Sequence, residues 1–173
     1  MSEENNGSGF CANRRQFLLT GGATVAMVML GTPPQPVMAQ VKGYGRKKIG
    51  SVSKLKEGTP VTFFYPDKDA ENILVKLGVP AGGGVGPKGD IVAFNGLCTH
   101  MGGDLTGNGY KHADKALGPC PFHLSTFDLT RYGMVIAGQG TQTLPQIQLE
   151  TDGDDIYAVG VMGLLYGRHS NLG

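Results

Sequence analysis

The chain has 173 residues and a formal net charge of +1, enough for one domain with a real hydrophobic core. This near-neutral balance gives no footing for nucleic-acid binding, which calls for a basic face. Glycine is the outlier at 29 residues, tryptophan is absent and 40% of residues are hydrophobic, which suits a turn-rich β domain and argues against a disordered chain.

The chain opens with an export layout. Residues 13–19 read "NRRQFLL", an uncharged apolar run continues from Phe17 to Leu30, and "GTPPQPVMAQ" follows. Charged start, apolar stretch, helix breakers and small-residue site are the parts of a cleavable signal. The paired arginines before Phe-Leu resemble the twin-arginine class, which carries folded proteins to the periplasm. The apolar run is 14 residues, against about 20 for a helix that spans a bilayer. Residues 1–39 are therefore expected to be removed after Ala39, leaving residues 40–173 with no stable membrane span; retention as an anchor is the lesser reading. Cys11 leaves with the signal, so the mature chain keeps Cys98 and Cys120. An oxidising compartment favours bridging two cysteines, which implies that something else holds both thiolates.

The mature part reads as short β segments. Residues 42–56 are basic and are read as a solvated lead-in strand. "PVTFFYP" (60–66) and "ENILVKLG" (71–78) form a hairpin across "DKDA". "VPAGGGVGPKGD" (79–90) lacks the ending of a phosphate loop and is read as a flexible surface loop. "DIVAFNGLC" (90–98) is a strand running into a Cys/His pair, and "KALGPCPFH" (115–123) runs into a second. "STFDLTRYGMVIAG" (125–138) turns at Arg131-Tyr132-Gly133, and "LPQIQLETDGDDIYAVGV" (144–161) alternates on either side of Asp152-Gly153. No stretch carries a helical period.

Cys98-x-His100 and Cys120-x-x-His123 each follow a strand and are separated by residues 101–119. Together they make a Cys2His2 set fit for zinc or for a two-iron cluster. Zinc fingers pair like with like and place their histidines on a helix, whereas both halves here are mixed and helix-free. Mixed pairs on two loops suit a [2Fe–2S] cluster with both cysteines on one iron and both histidines on the other. Neutral imidazoles in place of thiolates raise the potential of such a centre.

"CTHMGG…CPFHLS" resembles the Rieske iron–sulfur motif. The resemblance implies an all-β Rieske fold: three antiparallel sheets, with a cluster-binding subdomain at about residues 92–137 inserted in a base domain. It implies Cys98 and Cys120 on a buried iron, His100 and His123 on an iron near the surface, and Ser125 bonded to a cluster sulfide. The two further cysteines of the motif form a disulfide between the ligand loops; their positions hold Gly103 and Phe122 here, so the bridge is absent as a unit. Phe127 stands where some high-potential members carry a tyrosine, which implies a lower potential.

The export signal, compact domain and ending "DIYAVGVMGLLYGRHSNL" resemble the small subunit of periplasmic arsenite oxidase, in the branch without the bridge. That resemblance implies a large catalytic subunit with a molybdopterin and its own iron–sulfur cluster. It also implies a cytochrome c or azurin as electron acceptor and no arsenite chemistry on this chain. A quinol-oxidising cytochrome bc Rieske subunit would need a retained anchor, and a Rieske oxygenase a longer chain with an iron-binding histidine motif. A zinc-stapled binding module is the remaining alternative. His112 and His169 are read as surface residues, Asp104 as a turn former, and Met101 as packing over the first ligand loop.

Overall fold

The computed structural model describes residues 43–107 and 109–172. The segment expected to be an export signal, the cleavage expected after Ala39 and Cys11 lie outside the described residues. Ten strands are present: β1 (Lys47–Ser51), β2 (Val61–Phe64), β3 (Glu71–Lys76), β4 (Ile91–Asn95), β5 (Tyr110–Lys111), β6 (Ala116–Leu117), β7 (Thr126–Asp128), β8 (Met134–Ala137), β9 (Gln146–Asp152) and β10 (Asp155–Met162). A single 3-10 turn at Val52–Lys54 is the helical content of the described residues, so the domain is all-β, as the sequence implies. No helix among them is long and apolar enough to cross a membrane.

The strands form two antiparallel sheets, in the orders β1-β10-β9-β4-β3-β2 and β5-β6-β7-β8. Three sheets were expected. The difference lies in the pairing of β4 with β9, Ala93 opposite Ile147 and Phe94 opposite Gln146, which makes two base sheets continuous. Lys47 on one edge strand donates to the Phe64 carbonyl on the other, 2.8 Å away, so the six-stranded sheet curls until its edges meet.

The alternation of side chains along β3 and β4 explains how one sheet serves two cores. Leu74, Ile91 and Ala93 face the base core with Phe63, Ile147 and Ile156. Ile73, Val75, Val92 and Phe94 face the other way, onto Leu117, Phe127, Leu129 and both cysteines. Every residue of β4 is buried. That is why "DIVAFNGLC" reads as a continuous apolar run, not an alternating one. The four-stranded sheet is thereby seated on the base sheet through the strand that leads to Cys98.

All three hairpins form at the expected places. The last turns one residue later than read: Asp152 pairs Asp155, and Gly153-Asp154 make the loop, with Gly153 at φ +57°. The Gly/Pro stretch 79–90 is more firmly built in than a flexible surface loop. Gly82 N–H donates to Thr130 O, Ala81 N–H to Gly89 O, and Gln146 Nε2 to Gly82 O. It wedges between β9 and the turn after β7. Two cations of the basic lead-in are met by the chain's own hairpin: Arg46 lies over the Tyr157 ring at 3.4 Å and Lys48 pairs with Asp155.

Candidate metal centre

Three loops meet at one end of the four-stranded sheet: residues 96–104 after β4, 118–125 between β6 and β7, and 138–145 between β8 and β9. The first two are built on one backbone plan. Cys98 N–H donates to Gly103 O, and Cys98 O accepts from Gly102 N–H. Cys120 N–H donates to Ser125 O, and Cys120 O accepts from Leu124 N–H. The fifth residue of each turn is left-handed, Gly102 at φ +69° and Leu124 at φ +61°. A leucine there is unusual, since its Cβ crowds the carbonyl. Each loop thus presents its cysteine inward from a tight turn whose backbone groups are already satisfied.

The pattern brings the four sequence-predicted ligands together as two pairs. Both cysteines are buried and free, with the Cys98 and Cys120 thiols within hydrogen-bonding reach of each other. The His100 and His123 rings sit 4.7 Å apart at 81°. His100 is half-buried and its Nδ1 is buried without a partner, whereas His123 is exposed. A buried, unsatisfied ring nitrogen is costly unless something ligates it. Burial pushes the Cys98 thiol above its ordinary pKa, with Cys120 adding to the rise; the His100 backbone N–H and the Ser125 hydroxyl oppose it. An inner sulfur pair and an outer nitrogen pair fit a two-metal cluster with unlike ends. Among the described residues no three His, Cys, Asp or Glu side chains converge on one point. A tetrahedral zinc would need its donors at about 2.0–2.3 Å from a single centre.

The other expected residues are placed as follows. Ser125 is fully buried and accepts from Gly140 N–H at 2.9 Å. Phe127 is fully buried in the wall behind the cysteines. Gly103 and Phe122, the positions of the absent bridge, still meet: a Cβ on Gly103 would lie 3.2 Å from the Phe122 ring. Asp104 closes a turn by accepting from Thr106 N–H and Oγ1. Met101 is exposed, not packed over the loop as expected, because Tyr166 from the C-terminal segment occupies that place against Gly102. His112 leans on Gly58 and contacts Tyr110 and Lys115, away from the loops.

Sequence reading missed the third loop. Thr99 Oγ1 donates to Gln142 O at 3.0 Å, and Gly138, at φ +84°, lies against Ser125. The glycines of "AGQGTQ", directly after a strand, were the available signal.

Comparison with known proteins agrees with this geometry. Residues 45–148 match the family model of the Rieske [2Fe-2S] domain. The chain belongs to the Rieske family. Its cofactor is one Rieske-type [2Fe–2S] cluster, and its role is electron transfer within an oxidoreductase. It is 60% identical over 93% of its length to iodate reductase subunit IdrB of Denitromonas iodatirespirans, covering 87% of that protein. It is 56% identical over 96% of its length to the subunit of the same name from a Pseudomonas species, covering 88%. Among solved structures it resembles the soluble domain of Rieske protein II from Sulfolobus acidocaldarius. That match has a TM-score of 0.62 at 27% identity and covers 71% of this chain and 81% of that one.

Proposed function

We propose that this Rieske chain is the electron-transfer subunit of an iodate reductase, passing electrons singly from an external donor to a catalytic partner subunit. The observation that carries this reading is the 60% identity to an iodate reductase subunit along nearly the whole chain. Cys98 and Cys120 hold the inner iron, and His100 and His123 the outer one. When bound, the cluster takes up and releases one electron at a potential raised by its two imidazoles. The chain's own residues do the rest. The buried wall of Phe127, Leu117 and Leu105 excludes water behind the sulfurs. The exposed His123 brings the outer end to the surface, beside Met101, Phe122 and Leu124, which are 54%, 59% and 65% exposed.

The partner would be a large molybdopterin subunit where the oxyanion reacts; a periplasmic cytochrome c or azurin is the small redox protein at the other end. Export by the twin-arginine route fits a cluster inserted before crossing. Arsenite oxidase is the second reading, favoured by the "CTHMGG…CPFHLS" motif and the "MGLLYGRHSNL" ending. The two differ in direction, since iodate reduction consumes electrons and arsenite oxidation releases them.

Electron paramagnetic resonance of the purified complex separates them. Iodate added to the dithionite-reduced complex is expected to bleach the reduced-cluster signal, while arsenite added to the oxidised complex leaves it silent. Appearance of the signal with arsenite alone would overturn the iodate reading in favour of the second.

A further inference from the structure

The two sheets end in four edge strands, β1 and β2 in one and β5 and β8 in the other. An unpaired edge offers its N–H and C=O groups to any passing strand, and soluble chains blunt such edges with lysine, proline or shortness. Three of the four are blunted here. β1 carries Lys47 and Lys48, and β2 has its Phe64 carbonyl taken by the Lys47 ammonium. β5 is two residues long and carries Lys111. β8 has none of these devices. It reads Met134-Val135-Ile136-Ala137, and no charged residue stands between Arg131 and Glu150.

What β8 presents is apolar. Val135 packs inward against the core behind the cysteines, which sends Met134 and Ile136 outward, 48% and 54% exposed. The exposed Tyr132 stands just before them. The other end of the strand reaches the ligand loops. Gly138, directly after Ala137, is so close to the second loop that a Cβ would lie 2.4 Å from Ser125 N and 2.6 Å from the Leu124 carbonyl carbon. The exposed Leu124 and His123 thus continue the β8 face to the outer end of the metal centre.

We propose that the open edge of β8 is the docking site of the catalytic partner subunit, which adds an extended, uncharged apolar segment along Met134–Ala137. The inference rests on the reading above of this chain as a subunit serving a catalytic partner. Strand addition satisfies the backbone groups of the edge, while Met134 and Ile136 give the added segment apolar ground. The lack of charge suits a lasting contact, since any charge here would have to be desolvated as the interface closes. A second copy of this chain would pair antiparallel about a two-fold axis. Its ligand loops would then lie at the opposite end of the strand, so the pairing would add nothing to an electron path. An unlike partner anchored at β8 instead holds its own electron-exchanging group beside the outer histidines.

The test uses Ile136→Lys and, as a control on an exposed apolar residue of the other sheet, Val61→Lys. Each is produced in the native host as a tagged full chain, and the catalytic subunit recovered with it is compared with wild type. Ile136→Lys is expected to weaken association about tenfold or more, because an ammonium must be desolvated where an apolar contact stood. Its iron and acid-labile sulfide per chain and its unfolding midpoint are expected to stay at wild-type values. Val61→Lys is expected to associate as wild type does. In the wild-type complex, the outward amides among Val135–Ala137 are expected to exchange hydrogen about tenfold more slowly than in the free chain. Full recovery of the catalytic subunit by Ile136→Lys overturns the proposal. So do equal losses in both variants, or exchange at 135–137 that the complex leaves unchanged. A free wild-type chain that sediments as a dimer, with Ile136→Lys a monomer, assigns the edge to a second copy and overturns it too. A wild-type chain that brings no catalytic subunit with it overturns the reading beneath the proposal, and the proposal with it.

Discussion

A Cβ placed on Gly103 would lie 2.5 Å from the Cys120 sulfur, so the second ligand loop rests its thiol directly on the backbone of the first. Gly103 is buried, which leaves an added methyl no outward escape. Overpacking of this kind costs about 1–3 kcal/mol, and here the group that must give way is a cluster ligand. Gly103→Ala is expected to bind its cluster at least several-fold less well. Iron and acid-labile sulfide per chain, measured beside wild type, would check this; wild-type content would show that Cys120 is free to shift.

Ser125 receives a hydrogen bond from the third loop, and its hydroxyl lies close enough to Cys98 to favour the thiolate there. Ser125→Ala leaves Gly140 N–H without an acceptor and Cys98 without a donor. The first effect is expected to lower unfolding stability by about 1–3 kcal/mol. The second removes stabilisation of the more negative, reduced cluster and so lowers its midpoint potential. A one-electron couple shifts by about 40 mV for each kcal/mol by which the lost bond favours the reduced form. A redox titration with no fall would mean that Ser125 serves packing alone.

Phe127 is fully buried, and its ring edge lies 3.6 Å from where a Gly140 Cβ would stand, so its far end faces the third loop and the cysteine wall. A hydroxyl added there needs a partner, since burying it unpaired costs about 1–3 kcal/mol. The thiolates behind it are the acceptors that a cluster provides. Phe127→Tyr is expected to raise the midpoint potential by tens of millivolts, on the order of 40 mV for a bond near 1 kcal/mol. An unchanged potential together with lowered stability would place the hydroxyl away from sulfur.

The parts of this molecule legible in its sequence were those fixed by local chemistry. Hairpin turns announce themselves because Gly153 and Gly133 adopt left-handed backbone, and they formed where expected to within one residue. The paired Cys/His spacing carried the family because few other uses of those residues survive at such short range. What stayed hidden depends on approach between distant segments. Nothing in "VPAGGGVGPKGD" says that Gln146 and Thr130 will bond its backbone, so a built-in wedge read as a flexible loop. Two base sheets became one through β4 and β9, a pairing between residues more than fifty positions apart. Met101 was expected to cover the first loop, a task that falls to Tyr166 from the far end of the chain.

Tyr166 is held in place by a clasp that responds to acid. Arg168 donates both guanidinium nitrogens to the two carboxylate oxygens of Asp67. Asn171 Oδ1 accepts from Leu165 N–H and its Nδ2 donates to Gly163 O, which curls the segment between them. The bond from Arg168 lowers the Asp67 pKa from 3.8 to about 2. A carboxyl depressed in the folded chain contributes stability that is fully present above its ordinary pKa. That contribution is lost as pH falls through the folded value, so the window runs from about pH 4 down to about pH 2. Asp67 is 43% exposed, so screening holds the contribution to about 1 kcal/mol at most. Arg168→Met keeps the apolar stem and removes the donor. At neutral pH the variant is expected to be less stable by up to about 1 kcal/mol, with the deficit closing across that acid window. Urea unfolding of both chains at a series of pH values reads the difference directly. A deficit that stays constant to pH 2 would assign the loss to packing of the arginine stem and not to the ion pair.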